Sequence, residues 1–526
     1  MLWALPSFLR QQIDGEQARS ILRNRFAQRE ADFLALVRAA VYDNPLSPYR
    51  QLLQFANCEY NDLVELVRRD GIETALLVLY RKGVYLTVEE FKGRRPVIRG
   101  NSTLTLQPAQ LRNPSTTVHV PRFSSGSRGP GTPSPFDLAH VYERSAELCL
   151  FFQARAGSRW RYALWEVPGG PAILHMLEYH HIGASMARWF SQLDPAAPGL
   201  HVRYRWIGRV LRLAGWLAGA PQPGPVHVPL DAPLPIAHWM SGVLRAGETP
   251  HLYTMPSCAV RLCEAACAAG IELRGAQFTL GGEPLTPARL AAVRKTGAEA
   301  VPRYGTSEAG TIGAGCLTPE VSDDLHLLDD KHALIQPGTN EPMSPLPPAA
   351  LLISSLRPTA PVILLNVSLG DQGNLVRRSC GCPLEGHGWT RHLNTIRSFE
   401  KLTAGGVSFL DTDVTRVLEE VLPARFGGGP TDYQLVENET EDGRARLRLL
   451  IHPAIGPLDA EAVVEAFLTG IGPGTEGERL MAMQWRQMGL LRVDRRAPQT
   501  TATSKILHLH SEQSARSSRP SGSAVE

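Results

Sequence analysis

From Arg161 onward, short apolar runs alternate with amphipathic helical patterns, and this alternation restricts the chain more than any other feature. RYALWEV, GAQFTLGG, ALLISSL and PVILLNV read as strand-like or buried stretches, while CAVRLCEAACAAG and PARLAAVRKTG carry apolar residues at helical spacings of three and four. Strands interleaved with helices bury both sheet faces, which argues for an α/β fold. From Glu16 to about Arg94, ADFLALVRAAVYDNP and YNDLVELVRRDGIETALLVLYRKG read as helices. The first stops at Asn44-Pro45, because the residue before a proline is driven out of the helical region. A smaller α+β unit begins near Arg397: GGVSF, YQLVENE and RARLRLLIHP read as strands around DVTRVLEEVL, with a further helix at DAEAVVEAFLTG. The closing SEQSARSSRPSGSAVE has almost no large apolar side chain to offset its ordering entropy and reads as a disordered tail. The expected divisions are a helical part over 1–100, a core over 101–396, an α+β domain over 397–510 and the tail over 511–526.

Composition narrows the class. The chain has 526 residues, 43% hydrophobic and 20% charged, with a formal net charge of +3. That excludes fibrous and wholly disordered chains, leaves room for several domains, and gives no basis for nucleic-acid binding. Eight cysteines in so long a chain are too sparse for a disulfide scaffold, so a reducing cytoplasm is expected. Arg10 and Asp14 interrupt the apolar start before a signal peptide could form, and no apolar window is long enough for a membrane span.

Four segments carry chemistry. RFSSGSRGPGTPSPF offers hydroxyls and close backbone approach at Ser124, Ser125, Gly126, Ser127 and Gly129, which suits phosphate oxygens, although a surface linker has the same composition. It lacks the GK[ST] ending of a Walker loop. The run FTL enters Gly281-Gly282-Glu283, a helix follows, and the chain returns to Tyr304-Gly305-Thr306-Ser307-Glu308. An aromatic ring, a hydroxyl and a carboxylate packed so closely are what an adenine plane, a phosphate and a divalent metal would each need. Asp371 in LGD and Arg397 in RSFEKLTAGGVSF could hold a ribose diol, though singly each is more often a turn residue.

Taken in order, SSGSRGPGTP, GGEPLTP, YGTSE, LGD, RSFEKLTAGGVSF and TTATSKI resemble the adenylate-forming (AMP-binding) superfamily, and within it the phenylacetate CoA ligase-like branch that includes acyl-protein synthetases. The similarity runs over roughly residues 35 to 510. It implies a large N-terminal domain of layered sheets and helices with a small mobile C-terminal lid. It also implies ATP, Mg²⁺ and a carboxylic acid as ligands. On this resemblance Tyr304 stacks on adenine, Gly281 to Glu283 line the adenine and acyl pocket, and Thr306 contacts the α-phosphate. Glu308 holds Mg²⁺, Asp371 and Arg397 bind ribose, and Lys505 bridges the carboxylate and the α-phosphate. Three departures stand beside these matches: no lysine follows the phosphate loop, where Arg128 is the nearest cation; Phe399 precedes Glu400 at the hinge; and no glycine precedes Lys505.

Cys380-Gly381-Cys382 with Cys316 and His326 would make a closed tetrahedral zinc site, with His387 and His392 as rival ligands and free buried thiols as the alternative. The acyl pocket is expected between Arg161 and Thr254. Trp160, Trp165, Trp189, Trp206, Trp216 and Trp239 crowd this region, as an apolar pocket or simply a core would have them, and His180-His181 is a candidate carboxylate neighbour, although such a pair is more often a satisfied helix-surface feature. Arg205, Arg209 and Arg212 share a helical face in RYRWIGRVLRLAGWLAG, a surface for a separate acidic carrier protein, for a membrane, or packed on the core. The expected activity is adenylation of a carboxylic acid followed by transfer to coenzyme A. The alternatives are transfer to a carrier protein, protein thiol or amine, and a degenerate nucleotide binder without turnover.

Overall fold

The computed structural model describes residues 5–116, 138–167, 170–184, 186–194, 221–339, 345–398, 411–439, 445–471, 491–501 and 505–512, with short pieces within 209–217 and at 485–486. The chain forms two compact units, Met1–Ser398 and Phe399–Glu526.

In the first unit, strands β1 (Val97–Arg99) and β2 (Ser102–Leu104) make a small hairpin. The main sheet uses β3 (Arg161–Glu166), β4 (Met186–Ser191), β5 (Pro225–His227), β6 (Pro250–Thr254), β7 (Gln277–Gly281) and β8 (Glu299–Thr306). It continues through β9 (Gly310–Gly315), β10 (Leu325–Leu327), β11 (His332–Ile335), β12 (Ala350–Ser355), β13 (Val367–Arg377) and β14 (Arg391–Ser398). Among the described residues these twelve strands run in the order β11-β12-β13-β14-β10-β9-β8-β7-β6-β3-β4-β5. The half from β8 to β5 is parallel, and the half from β9 to β11 is antiparallel.

The parallel half is apolar on both faces, as crossover helices require. In β3, Tyr162 and Leu164 pack toward the helices Leu138–Ala154 and Gly170–His181, whereas Ala163 and Trp165 pack toward Leu234–Arg245 and Pro256–Ala268. Of the six tryptophans expected to form a pocket or simply a core, Trp165 and Trp189 are core residues, buried on opposite faces of the sheet, while Trp216 is 72% exposed.

N-terminal helices occupy the positions their periodicity implies, with Arg29–Val37 extended to Tyr42 and ending just before Asn44-Pro45. Of its two expected readings, PVILLNV takes the buried one. Only Val362 makes an isolated bridge, to Arg112, and β13 begins at Val367. The segment is instead pinned to the N-terminal layer: Ile363 N–H donates to Leu111 and Tyr49 Oη donates to the Ile363 carbonyl. Asn366, at φ 51°, donates its amide to the carbonyls of Leu76 and Val84. Backbone groups satisfied by helices and loops have none left for a ladder.

In the second unit, β15 (Tyr433–Glu439) pairs antiparallel with β16 (Ala445–Ile451), flanked by β17 (Leu491–Asp494) and β18 (Leu509–Glu512) in parallel. Helical turns from Asp411 to Phe426 and the helix Ala460–Ile471 bury Val417, Leu418, Val463 and Phe467 against this sheet. Strand β18 runs two residues past position 510, where the tail was expected to start. Arg397, expected to open this unit, is instead in β14 of the larger one. GGVSF lies outside the described residues.

Candidate active site

Strand β7 ends at Gly281, where an added Cβ would lie 2.7 Å from the Tyr253 hydroxyl and 3.2 Å from the Arg303 carbonyl, so the tight approach of β6, β7 and β8 needs glycine. Gly282 turns the chain at φ 86°. Glu283 then points inward rather than toward a ligand. Its carboxylate accepts from the Ser257 N–H and hydroxyl, both at 2.9 Å, and from Arg289 Nη1 at 2.9 Å, in a pair only 1% exposed. Of the GGE segment, the two glycines offer backbone, and the Glu283 side chain braces the loop.

Strand β8 carries Tyr304 and Thr306, and the turn to β9 carries Glu308. The Tyr304 hydroxyl donates to Asp371 Oδ2 at 2.9 Å, across residues far apart in sequence. Burial, and then the carboxylate of Asp371, hold that phenol well above its ordinary pKa, so it stays a donor. Thr306 Oγ1 accepts from Ala309 N–H at 3.0 Å and closes the turn, while a Cβ on Gly305 would sit 2.4 Å from the Gly310 carbonyl. Glu308 is buried at 7% exposure.

Asp371 and Arg397 do not form the joint clamp expected for a ribose. The ladder pairs Asp371 with Ser398 and Gln372 with Arg397, so the two side chains are one position out of step across β13 and β14. Arg397 Nη1 instead donates to Asp323 Oδ2 at 2.9 Å. Asp323 also accepts from the N–H groups of Thr395 and Ile396, both at 3.0 Å, and so fixes the kink at Thr395, where φ is 54°. Sequence reading missed Asp323 because an Asp-Asp pair in a loop has no motif.

The neighbouring Asp324 serves a second cluster. One ligand atom from each of Cys316, His326, Cys380 and His392 lies within 4.8 Å of all the others, and Cys382 Sγ is 3.1 Å from His326 Nε2. His326 Nδ1 donates to the Trp389 carbonyl at 2.7 Å, and His392 Nδ1 to Asp324 Oδ1 at 2.9 Å. Each ring thus turns an Nε2 lone pair inward, the arrangement that fixes metal-ligating histidines. Nε2 of His392 has no hydrogen-bond partner among the described residues. Burial, with Cys382 and Cys380 adding, pushes the Cys316 thiol up to about 12, and burial lowers His326 to about 4. A neutral His326 imidazole beside crowded thiols fits a soft tetrahedral cation. His392, named as a rival, joins His326 rather than replacing it; His387 packs edge-on against Trp389 instead.

His180 Nε2 donates to the Leu9 carbonyl at 2.6 Å, and buried His181 packs against Phe8 and Tyr142. The pair therefore anchors the N-terminal segment rather than a substrate carboxylate. Arg209, Arg212, Leu213, Trp216 and Leu217 are exposed. In the second unit, Lys505 is half-buried, and its N–H donates to the Thr501 hydroxyl at 3.1 Å. Ser124, Ser125, Gly126, Ser127, Arg128 and Gly129, Arg205 and Trp206, and the hinge residues Phe399 and Glu400 lie outside the described residues. Among the described residues, no helix is long and apolar enough to cross a membrane.

No protein-family model matches the chain, and no curated protein matches it in sequence. Solved structures do match. A 2-hydroxyisobutyryl-CoA ligase in the postadenylation state with 2-HIB-AMP is 14% identical, with 96% of this chain and 91% of that chain covered and a TM-score of 0.55. The same ligase with R3-HIB-AMP is 15% identical over the same shares, with a TM-score of 0.53. The chain has the adenylate-forming fold over nearly its whole length.

Proposed function

We propose that this chain is an ATP-dependent ligase that adenylates a carboxylic acid and passes the acyl group to the thiol of coenzyme A. The observation that carries the reading is the Tyr304–Asp371 hydrogen bond at the carboxyl end of β8, with Thr306 and Glu308 in the turn that follows. Ligands of parallel sheets are held beyond strand carboxyl ends. In this reading Tyr304 offers its ring to adenine, Asp371 accepts from a ribose hydroxyl, and Thr306 donates to the α-phosphate. When bound, Mg²⁺ supplies charge neutralisation at the phosphates, and Glu308 is the carboxylate that would hold it.

A carboxylate oxygen of the acid attacks the α-phosphorus, and pyrophosphate leaves. Lys505 places its positive charge where negative charge grows in that transition state. In the second half the thiol sulfur attacks the acyl carbonyl, its proton passes to solvent, and AMP leaves with the electron pair of the broken C–O bond. Four donors, Cys316, His326, Cys380 and His392, are the seat of a structural zinc, with no position open for water. A second reading keeps the adenylation and uses a carrier-protein arm as acceptor; the exposed Arg209 and Arg212 beside Trp216 favour it.

The test is pyrophosphate release from ATP and Mg²⁺ across aryl, short-chain and long-chain acids, with and without coenzyme A. Acid-dependent release that Lys505→Ala lowers by several orders, with ATP still bound, is the expected result. Silence with every acid while ATP binds would instead point to a non-catalytic binder.

A further inference from the structure

Four adjacent parallel strands, β3, β6, β7 and β8, bring Glu166, Tyr253, Gly281 and Arg303 to their carboxyl ends, with Gly281 and Arg303 paired in register. Across from them, the helix Gly170–His181 presents His175 and Glu178, one turn apart. His175 Nδ1 lies 2.8 Å from Glu166 Oε2, and its ring is 4.2 Å from that of Tyr253. The Arg303 guanidinium lies 5.8 Å from the centre of the Tyr253 ring.

This wall is polar, and its hydrogen bonding is incomplete. Arg303 Nη2 meets Glu178 Oε2 at 3.4 Å and Nε donates to Thr311 Oγ1 at 3.1 Å, yet Nη1 has no partner among the described residues. The Arg303 side chain is only 9% exposed, and the carboxylate it pairs with, Glu178, is shared with Arg144, whose Nε lies 2.6 Å from Oε1. The Tyr253 hydroxyl lies beside Gly281, 2.7 Å from where a Cβ there would stand. A buried guanidinium donor left unpaired is costly, and a hydrocarbon chain placed against it would remove the last water that could serve it.

We propose that these residues form the end wall of the acyl pocket, and that the acid carries a second hydrogen-bond-accepting group, a hydroxyl, ketone or carboxylate, which accepts from Arg303 Nη1 and the Tyr253 hydroxyl. The inference rests on the adenylation reading above. It places the substrate among polar-substituted acids rather than plain hydrocarbon acids. A site built to pair such a group rejects the analogue lacking it far more strongly than it resolves one methylene.

The experiment is ATP–pyrophosphate exchange on matched acids: phenylacetate against 4-hydroxyphenylacetate, and hexanoate against 6-hydroxyhexanoate and adipate. At least one substituted acid is expected to exceed its plain partner in kcat/KM by about 100-fold or more. Arg303→Met should collapse that ratio to about 10-fold or less, and Arg303→Lys should restore part of it. Tyr253→Phe, which removes only the hydroxyl, should lower the same ratio and serves if the arginine variant fails to fold. Plain acids preferred by the wild-type protein, or a ratio unmoved in the variants that fold, would overturn this inference while leaving adenylation standing. No exchange with any acid would overturn both.

Discussion

Asp323 is the residue whose loss should be felt most clearly beyond its own position. It is 5% exposed and its carboxylate accepts three hydrogen bonds, from Arg397 Nη1 at 2.9 Å and from the N–H groups of Thr395 and Ile396 at 3.0 Å. Arg397 is itself only 10% exposed, so Asp323→Ala leaves a buried guanidinium without its carboxylate, a loss of about 3–5 kcal/mol. It also frees Thr395 from the left-handed conformation, at φ 54°, that the carboxylate holds. Asp323→Asn keeps an acceptor oxygen and the shape but not the charge, so its cost should be smaller, about 1–3 kcal/mol. Urea unfolding followed by tryptophan fluorescence would measure both, provided the slope against denaturant stays constant. If Arg397 holds the nucleotide, KM for ATP should rise in both variants with a smaller change in kcat. An alanine variant within about 1 kcal/mol of the parent, or an asparagine variant worse than the alanine one, would refute the reasoning.

Metal analysis of the purified protein should find about one zinc per chain, and His392→Ala or the paired Cys380→Ser, Cys382→Ser change should abolish it and lower stability; zinc-free protein of equal stability would remove the site. Acid should destabilise the fold through buried histidines. Burial, with His180 or Lys331 adding, lowers His181 to about 4 and His332 to about 3. Both stay neutral when folded while the unfolded chain binds protons below about pH 6.5, so stability is complete above that pH and is lost as pH falls toward 4. His181 alone accounts for about 3 kcal/mol of that loss, and His181→Phe should flatten the urea midpoint between pH 7 and pH 4.5; an unchanged slope would count against it. Glu283→Ala should cost about 3–5 kcal/mol by stranding Arg289, read as a lower unfolding midpoint, while Glu283→Gln should cost less.

The parallel half of the sheet was legible because both its faces are apolar and its helices carry the complementary stripe, so RYALWEV and GAQFTLGG could be little else. PVILLNV was legible only as strand-like or buried, since seven apolar-rich residues look alike whether they join a ladder or lie against helices, and the partners of Ile363 and Asn366 are far away in sequence. YGTSE and LGD stood out as motifs, but their union through Tyr304 and Asp371 is a tertiary fact. Glu283 shows the opposite error: a carboxylate in a promising loop whose side chain serves the scaffold. Arg303 and Asp323 carry no local signature at all, because what distinguishes them is an unpaired nitrogen in one case and a distant guanidinium in the other.

The sheet changes from parallel to antiparallel between β8 and β9, and this seam has a consequence for how the molecule is made. Tyr304 stands in the last parallel strand and Asp371 in β13 of the antiparallel half, joined by one hydrogen bond across the boundary. The first half depends on crossover connections, which close slowly, whereas the second contains hairpins that close sooner. Neither half by itself assembles the proposed nucleotide pocket. Nucleotide affinity during refolding should therefore appear only with the last cooperative step, and bound nucleotide should stabilise the finished large unit rather than any intermediate on the way to it.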